Sequence, residues 1–404
     1  MILNWSLAGL VAIGHVGIFV YLTNLLHGVG IMPPSRERVG KVHLSMGLLV
    51  SGALAWEFFQ GSGTYWSWPI RGYALLCLVV ALIGIPVCSL LIHRRRIPDG
   101  IAEHTSDIDL AHRLGKENLI GSGRHSWLLR IKGNDSFRLR KREWTVTVPT
   151  LPAVWDGLSI VQVSDLHFAP CFQQRFFEHI ADEAAEWPAD LVVFTGDLID
   201  HDLALDWIVP VMSRLSGRLG TFSILGNHDF DHRPTDVQKR LEEAGFVDVE
   251  GIWTQLKIEG MTLALGGTST PWGPKLDLNA APDADFRLFL SHSPDQFPGA
   301  VESGIDLMLS GHNHGGQIRL PGIGPVFMPS RYSRHFDRGY FRSGRTLLHV
   351  SQGVAGKHPI RFGCIPEISR LVLRVGHESS LSSSTPQNAR LSQDATPRIF
   401  SSSD

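Results

Sequence analysis

Three apolar runs crowded into the first 93 residues constrain this chain before anything else does. Trp5 to Leu26 and Tyr73 to Ile92 carry no formal charge. As helices, both are long enough to cross a hydrocarbon core about 30 Å thick. The middle run, Val42 to Phe59, is shorter and holds Glu57 near its end. Met1 is followed by no basic stretch, so a cleaved signal peptide fits poorly. Basic residues set the expected orientation. Arg36, Arg38 and Lys41 follow the first run, Arg71 alone follows the second, and His93-Arg94-Arg95-Arg96 follow the third. Basic flanks face the cytoplasm, which places the N-terminus outside, predicts three spans over 1–96 and leaves the rest cytoplasmic. A merely interfacial middle run would put the two basic flanks on opposite sides. His15, His27, His43 and Glu57 fall in or beside these runs. Ionisable groups there can serve haem ligation or proton relay. No paired spacing repeats among them, so positions near the interfaces or inside the bundle are expected.

Composition removes other classes. The chain has 404 residues with 37 Lys+Arg against 39 Asp+Glu, a net charge of −2. The usual electrostatic footprint of nucleic-acid binding is therefore missing, and no nucleic-acid partner is expected. Hydrophobic residues at 43% and charged residues at 19% exclude a wholly disordered chain. Of the four cysteines, Cys77 and Cys88 lie in the third apolar run, while Cys171 and Cys364 stand alone. That is no disulfide scaffold, and the lone pair is expected to pack rather than react.

Residues 97–143 show weak periodicity and several glycines, and read as a basic juxtamembrane linker with one short helix. Arg124, Arg130, Lys132, Arg138, Arg140, Lys141 and Arg142 would contact anionic headgroups or, given the period-two spacing of Arg138, Arg140 and Arg142, form a solvated strand face. From 144 to 375, short apolar runs alternate with amphipathic patterns, the signature of layered α/β architecture. Phe172–Trp187 and Thr235–Ala244 are the clearest helices, the second framed by Pro234 and Gly245. The Ser-rich stretch 376–404 reads as a disordered tail.

The chemistry is concentrated in the residues just past each predicted strand. Leu158–Val163 runs into Ser164-Asp165-Leu166-His167, and Leu191–Phe194 into Thr195-Gly196-Asp197-Leu198-Ile199-Asp200. Thr221–Leu225 runs into Gly226-Asn227-His228-Asp229, and Phe286–Leu290 into Ser291-His292-Ser293. Ile305–Leu309 runs into Ser310-Gly311-His312-Asn313-His314-Gly315-Gly316. One such end is an ordinary cap or turn. Five in order, set along one sheet edge, would make one cluster of carboxylate, imidazole and amide groups where α/β sheets bind ligands. Imidazole and carboxylate without thiolate suit Mn²⁺, Fe or Zn²⁺, and the donors are too many for one ion.

The order Asp-x-His, Gly-Asp-x-x-Asp, Gly-Asn-His-Asp, a later His and Gly-His-x-His resembles the calcineurin-like metallophosphoesterases over roughly 144–375. Ser291-His292-Ser293-Pro294, Gly311 through Gln317, and Pro359-Ile360-Arg361-Phe362-Gly363-Cys364 through Pro366-Glu367-Ile368 resemble its membrane-associated bacterial phosphodiesterase branch. Some proteins in or near that branch act on lipid-linked nucleotides. The resemblance implies a layered β-sandwich flanked by helices, here preceded by the transmembrane bundle. It implies two divalent metals, Mn²⁺ foremost with Fe or Zn²⁺ as alternatives. One metal would take Asp165, His167, Asp197 and His314, and the other Asp197, Asn227, His292 and His312. His228 would donate a proton and Asp200 would orient it, while Asp229 has no ligand role.

The expected enzyme is a membrane-anchored phosphoesterase that cleaves a phosphodiester or pyrophosphate by metal-activated hydroxide. Its expected substrate is lipid-linked, at the cytoplasmic face of a bacterial inner membrane. A phosphatase for soluble monoesters or nucleotides is the alternative, and an idle receptor or scaffold the more distant one. Arg361 would contact a phosphate or hold the C-terminal loop. His201 and His232 would lie beside the site or in solvent. Gly266-Gly267-Thr268-Ser269-Thr270 stands where family members often carry an Asp, a departure that touches substrate choice rather than hydrolysis.

Overall fold

The computed structural model describes residues 2–31, 35–60 and 67–376; the expected tail over 377–404 lies outside them. The apolar runs form α1 (Ile2–Gly28), α2 (Ser35–Gln60), α3 (Ser67–Val79) and α4 (Ile85–Arg94). A π turn over Val80–Gly84 joins α3 to α4 in one continuous rod. Three stretches, Trp5–Gly28, Glu37–Phe59 and Trp68–Arg94, are long and apolar enough to cross a membrane. The polar groups among them answer one another. His15 shares hydrogen bonds with the Tyr73 and Ser51 hydroxyls at 2.7 and 2.9 Å, tying α1 to α3 and α2. His43 meets Thr23 at 2.9 Å, and Glu57 pairs with Arg71 at 3.1 Å. These side chains hold the bundle together.

The remainder is a sandwich of two sheets. The strands are β1 (Ile101–Asp109), β2 (Arg138–Val148), β3 (Ser159–Val163), β4 (Leu191–Thr195), β5 (Gly220–Ile224), β6 (Val247–Asp248), β7 (Trp253–Ile258), β8 (Met261–Thr268), β9 (Phe286–Ser291), β10 (Leu307–Ser310), β11 (Arg319–Leu320), β12 (Gly324–Pro325), β13 (Gly339–Ser343), β14 (Thr346–Val350) and β15 (Glu367–Val375). Among the described residues one sheet runs β1-β2-β15-β3-β4-β5-β6 and the other β13-β14-β10-β9-β8-β7. β11 and β12 pair by themselves. β3, β4 and β5 are parallel in the first sheet, as are β8, β9, β10 and β14 in the second. Parallel strands are covered on both faces, which is why they read as unbroken apolar runs.

Alternation then sorts each strand's side chains. Ile160, Leu191, Val193, Phe222 and Ile224 face Leu265, Leu288, Leu290, Leu307 and Leu309 in the core between the sheets. Val161, Val163, Val192 and Phe194 point the other way, onto helix Gln174–Ala185 through Phe176, Phe177 and Ile180. That helix and Pro234–Glu243 fall where the sequence puts them.

The linker expected over 97–143 is not one. β1 and the first part of β2 lie inside it, and the two strands pair from Ile101–Val146 to Asp109–Arg138. β2 also pairs with β15 from Arg140 to Val148. Five of the seven basic residues from Arg124 to Arg142 find acidic partners within the protein. Arg138 and Arg140 pair with Asp107, Lys141 with Glu183 and Glu186, Arg142 with Glu103 and Glu367, and Arg130 with Glu117. β1 is solvent-facing along most of its length, so it carries no apolar alternation for a sequence reading to find.

The helical bundle docks on the sandwich through the segment that follows β10. The Ser89 hydroxyl donates to the Ile323 carbonyl at 3.1 Å, and His27 stands edge-on to Phe327 with ring centres 5.4 Å apart. Arg95 pairs with Asp337 and lies 4.4 Å over the Phe341 ring. The inclusion of β2 in the fold is testable at Leu139, which is fully buried beneath the helices. Leu139→Ala should cost about 2–5 kcal/mol in a denaturation experiment on the detergent-solubilised protein, as for any core leucine. A linker residue would cost nothing measurable.

Candidate metal centre

The two sheets deliver all five strand ends to one edge of the sandwich. β3, β4 and β5 bring Asp165, His167, Asp197, Asp200, Asn227 and His228; β9 and β10 bring His292, His312 and His314. Ligand atoms of Asp165, His167, Asp197 and His314 lie within 4.8 Å of one another, as do those of Asp197, His292 and His312, and those of His167, Asp200 and His228. Asp197 belongs to two of these groups. Its Oδ1 accepts the His228 N–H at 2.8 Å. Its Oδ2 lies 3.3 Å from His292 Nε2 and 3.5 Å from His167 Nε2. Asn227 Oδ1 approaches His292 Nε2 at 3.1 Å.

The imidazoles are aimed by their outer nitrogens. His292 Nδ1–H donates to the Thr195 carbonyl at 2.8 Å, and His312 Nε2–H to the Pro329 carbonyl at 2.6 Å. Their inner nitrogens then face each other across 3.2 Å. His167 Nδ1–H donates to Asp200 Oδ2 at 3.0 Å, which turns its Nε2 toward His314 Nε2 at 3.3 Å. Two bare imidazole nitrogens cannot satisfy each other, so each pair calls for a cation or a proton between them. One oxygen each of Asp165 and Asp197, and Nδ1 of His314, are buried without a hydrogen-bond partner. A donor set of imidazole, carboxylate and amide, with orphaned oxygens aimed inward, fits hard-to-borderline divalent cations.

Electrostatics agree. Burial disfavours charge on His292, yet the carboxylate of Asp197 outweighs it and pushes the imidazole up to about 9. His312, buried and beside His292, is pushed down to about 3. Metal-free, the cluster thus recruits a proton where a cation would sit. Asp200, although buried, is held well below the usual carboxylate range by His167 and His228. His228 Nδ1–H donates to it at 2.5 Å, and burial is again overcome, chiefly by Asp200 and Asp197, so that His228 rises to about 9. The His228 side chain keeps 18% of its surface in solvent, against about none for His167 and His292. It stands at the mouth of the cluster.

The backbone is bent to make this possible. Asp165, His167, Asp197, His312 and His314 all sit at positive φ, between +46° and +69°. Left-handed backbone costs L-residues on the order of 1–2 kcal/mol each, and such residues cluster at functional sites. Close approach demands the glycines beside them. A Cβ on Gly226 would stand 2.2 Å from Asp197 Oδ1, and one on Gly311 2.0 Å from Ser164 Oγ.

Several contributors escape a reading of motifs. Asp229 is fully buried and touches no donor nitrogen of the cluster. Its carboxylate accepts from the backbone N–H groups of Asp197, Leu198, Ile199 and Gly226 at 2.8–3.0 Å, clamping the turn that carries Asp197. Trp272 packs against His312 with ring centres 4.8 Å apart. Pro329 lies in a segment without any motif. Arg361 is buried and donates to the Gln352 and Ala355 carbonyls, so it holds the C-terminal loop. Cys171 and Cys364 are buried. His201 caps its own turn at Leu203, and His232 pairs with Asp202. Ser269 of the divergent segment bonds Glu250.

Residues 158–316 match the calcineurin-like phosphoesterase family. A metallophosphoesterase of Bacillus subtilis, YkuE, is 31% identical over 242 residues, covering 57% of this chain and 84% of its own length. The chain is a calcineurin-like metallophosphoesterase. As such it is a metal-dependent phosphoric ester hydrolase, with a candidate binuclear site in the cluster at the sheet edge. The phosphodiesterase YaeI of Escherichia coli is 29% identical over 223 residues, covering 53% of this chain and 81% of its own. A transmembrane protein with a metallophosphoesterase domain from Danio rerio is 27% identical over 260 residues, 57% of this chain and 56% of its own. In this metallophosphoesterase the Asp229 clamp is open to test. Asp229→Ala leaves four buried N–H groups without their acceptor and should lower unfolding stability by at least about 1–3 kcal/mol. Metal content should fall with it, although Asp229 is not among the grouped donors.

Proposed function

We propose that the protein is a membrane-anchored phosphodiesterase that hydrolyses a phosphodiester or pyrophosphate bond in a lipid-linked substrate at the cytoplasmic face. Asp165, His167, Asp197 and His314 are assigned to one divalent cation, and Asp197, Asn227, His292 and His312 to the second, with Asp197 bridging. Mn²⁺ is the ion preferred from the family resemblance, and the thiolate-free donor set also suits Fe or Zn²⁺. Two such cations supply Lewis acidity toward phosphoryl oxygens and lower the pKa of a bound water. His228, at the mouth and charged through Asp200, faces the leaving oxygen and donates its proton. Asp200 fixes the tautomer and aim of both His228 and His167. No side chain is required as nucleophile.

One observation supports the lipid-linked reading above the others. The segment that carries Pro329, the hydrogen-bond partner of His312, also carries exposed Leu320, Ile323 and Phe327 and lies against the ends of α1 and α4. Exposed apolar side chains on the loop that aims His312 therefore stand beside the ends of the spans, where a bilayer surface would lie. Anchoring there raises the effective concentration of a lipid-borne substrate without new contacts. The orientation rests on the basic residues that follow the first and third spans. A bacterial inner membrane follows from the resemblance to the bacterial branch.

Purified full-length protein assayed on a chromogenic monoester, a chromogenic diester and a lipid-linked pyrophosphate should prefer the last two. Preference for the monoester would replace this reading with a soluble phosphatase. In the same assay Asp197→Asn should lose nearly all activity and part of its metal. His228→Ala should keep its metal and turn over about 10²–10⁴-fold more slowly, the usual worth of a general acid. The reverse pattern would overturn the roles.

A further inference from the structure

The apolar helices reach further into the enzyme than an anchor requires. Asn24, near the end of α1, is only 1% exposed. Its Oδ1 accepts the Met328 N–H at 3.0 Å. The next residue, Pro329, is the one whose carbonyl takes the His312 Nε2–H at 2.6 Å. Beyond it, the Ser330 hydroxyl and the Arg331 N–H donate to the two oxygens of Asp295 at 2.5 and 2.8 Å. The Pro329 carbonyl is thus pinned from both sides, by α1 and by the turn just past His292. Gly28 completes the contact: a Cβ there would stand 2.4 Å from the Arg331 nitrogen, so helix end and loop meet at their backbones.

An imidazole that binds a metal through one nitrogen is aimed by whatever accepts the hydrogen on the other, and loss of that partner commonly costs about 10–100-fold in metal affinity. For His312 that partner is a single carbonyl on a short loop. An amide side chain buried in an apolar helix needs a partner, and here the partner is the same loop. We propose that Asn24 is a positioning residue for the second metal site, acting through Met328 and Pro329 on His312. The proposal rests on the assignment of His312 as a ligand of that site. It makes the first span part of the metal centre's support rather than a tether. Sliding α1 against the sandwich would move the carbonyl that aims His312, while His167 would keep its own support from Asp200.

The test is a Mn²⁺ titration by calorimetry on full-length protein in detergent, first stripped of metal with a chelator. Wild type should show two binding events, and His312→Ala should lose one of them. Asn24→Ala should weaken that same event about 10–100-fold and leave the other unchanged. In the His312→Ala background, Asn24→Ala should change nothing further. Ser89→Ala, which removes the separate bond to Ile323, should leave both events at wild-type strength. Asn24→Ser keeps a polar atom in the helix but is too short to reach Met328. It must give the same selective loss, and covers the case in which alanine prevents folding. Equal weakening of both events, or no weakening in either Asn24 variant while His312→Ala still loses one, overturns the proposal. Two full events in His312→Ala would overturn the ligand assignment instead.

Discussion

Asp197 is sealed from water, yet it faces imidazoles supplied by both sheets. A buried carboxylate is tolerable only when positive charge or several hydrogen bonds compensate it. Here one oxygen is spent on the His228 backbone, and the other is left to His167 on one side and His292 on the other. Those two histidines come from β3 and β9, strands of different sheets. The compensation therefore exists only when the sandwich is closed, and the site and the fold depend on each other. The buried apolar layer between the sheets keeps their two edges in register. The cation-seeking cluster stands where that register brings strand ends of opposite sheets together.

The five strand ends were legible because parallel strands in a covered sheet have a plain signature: unbroken apolar runs that stop at polar, Gly-punctuated turns. The resemblance then named the residues, and the structure brings them together. β1 was missed for a matching reason, whereas the period-two spacing of Arg138, Arg140 and Arg142 allows a strand where β2 lies. β1 is an edge strand with Glu103, Asp107 and Asp109 along it, held by pairing and by ion pairs to β2 rather than by burial. Charge gives no period when its partner is an opposite charge on the neighbouring strand. The same pairing misdirects a reading of the basic stretch. Counted alone, Arg138, Arg140, Lys141 and Arg142 suggest a membrane surface; counted with Asp107, Glu183 and Glu367, they are internal glue.

What no motif could show is how the donors are held. Asp229 was visible as part of Gly-Asn-His-Asp, but its work as acceptor for four backbone groups depends on two turns meeting in space. The same is true of Asn24 and Pro329, far apart in sequence and joined through the Met328 N–H. The left-handed backbone at Asp165, His167, Asp197, His312 and His314 is likewise a property of the assembled edge. It tells against a loosely arranged cluster, since strain of that kind persists only where the surroundings determine it.

The π turn at Val80–Gly84 bears on how such a molecule can change. A helix advances about 100° per residue, so one extra residue in a turn rotates everything beyond it relative to everything before. Tyr73 and Cys77, ahead of the turn, mesh with α1, whereas Ser89, behind it, meets the sandwich at Ile323. The third span thus shows α1 its stretch up to Ile85 and shows the sandwich Ser89, one turn further on. Substitutions that re-pack α3 ahead of the turn need not be transmitted to the α4 face that meets the sandwich at Ile323.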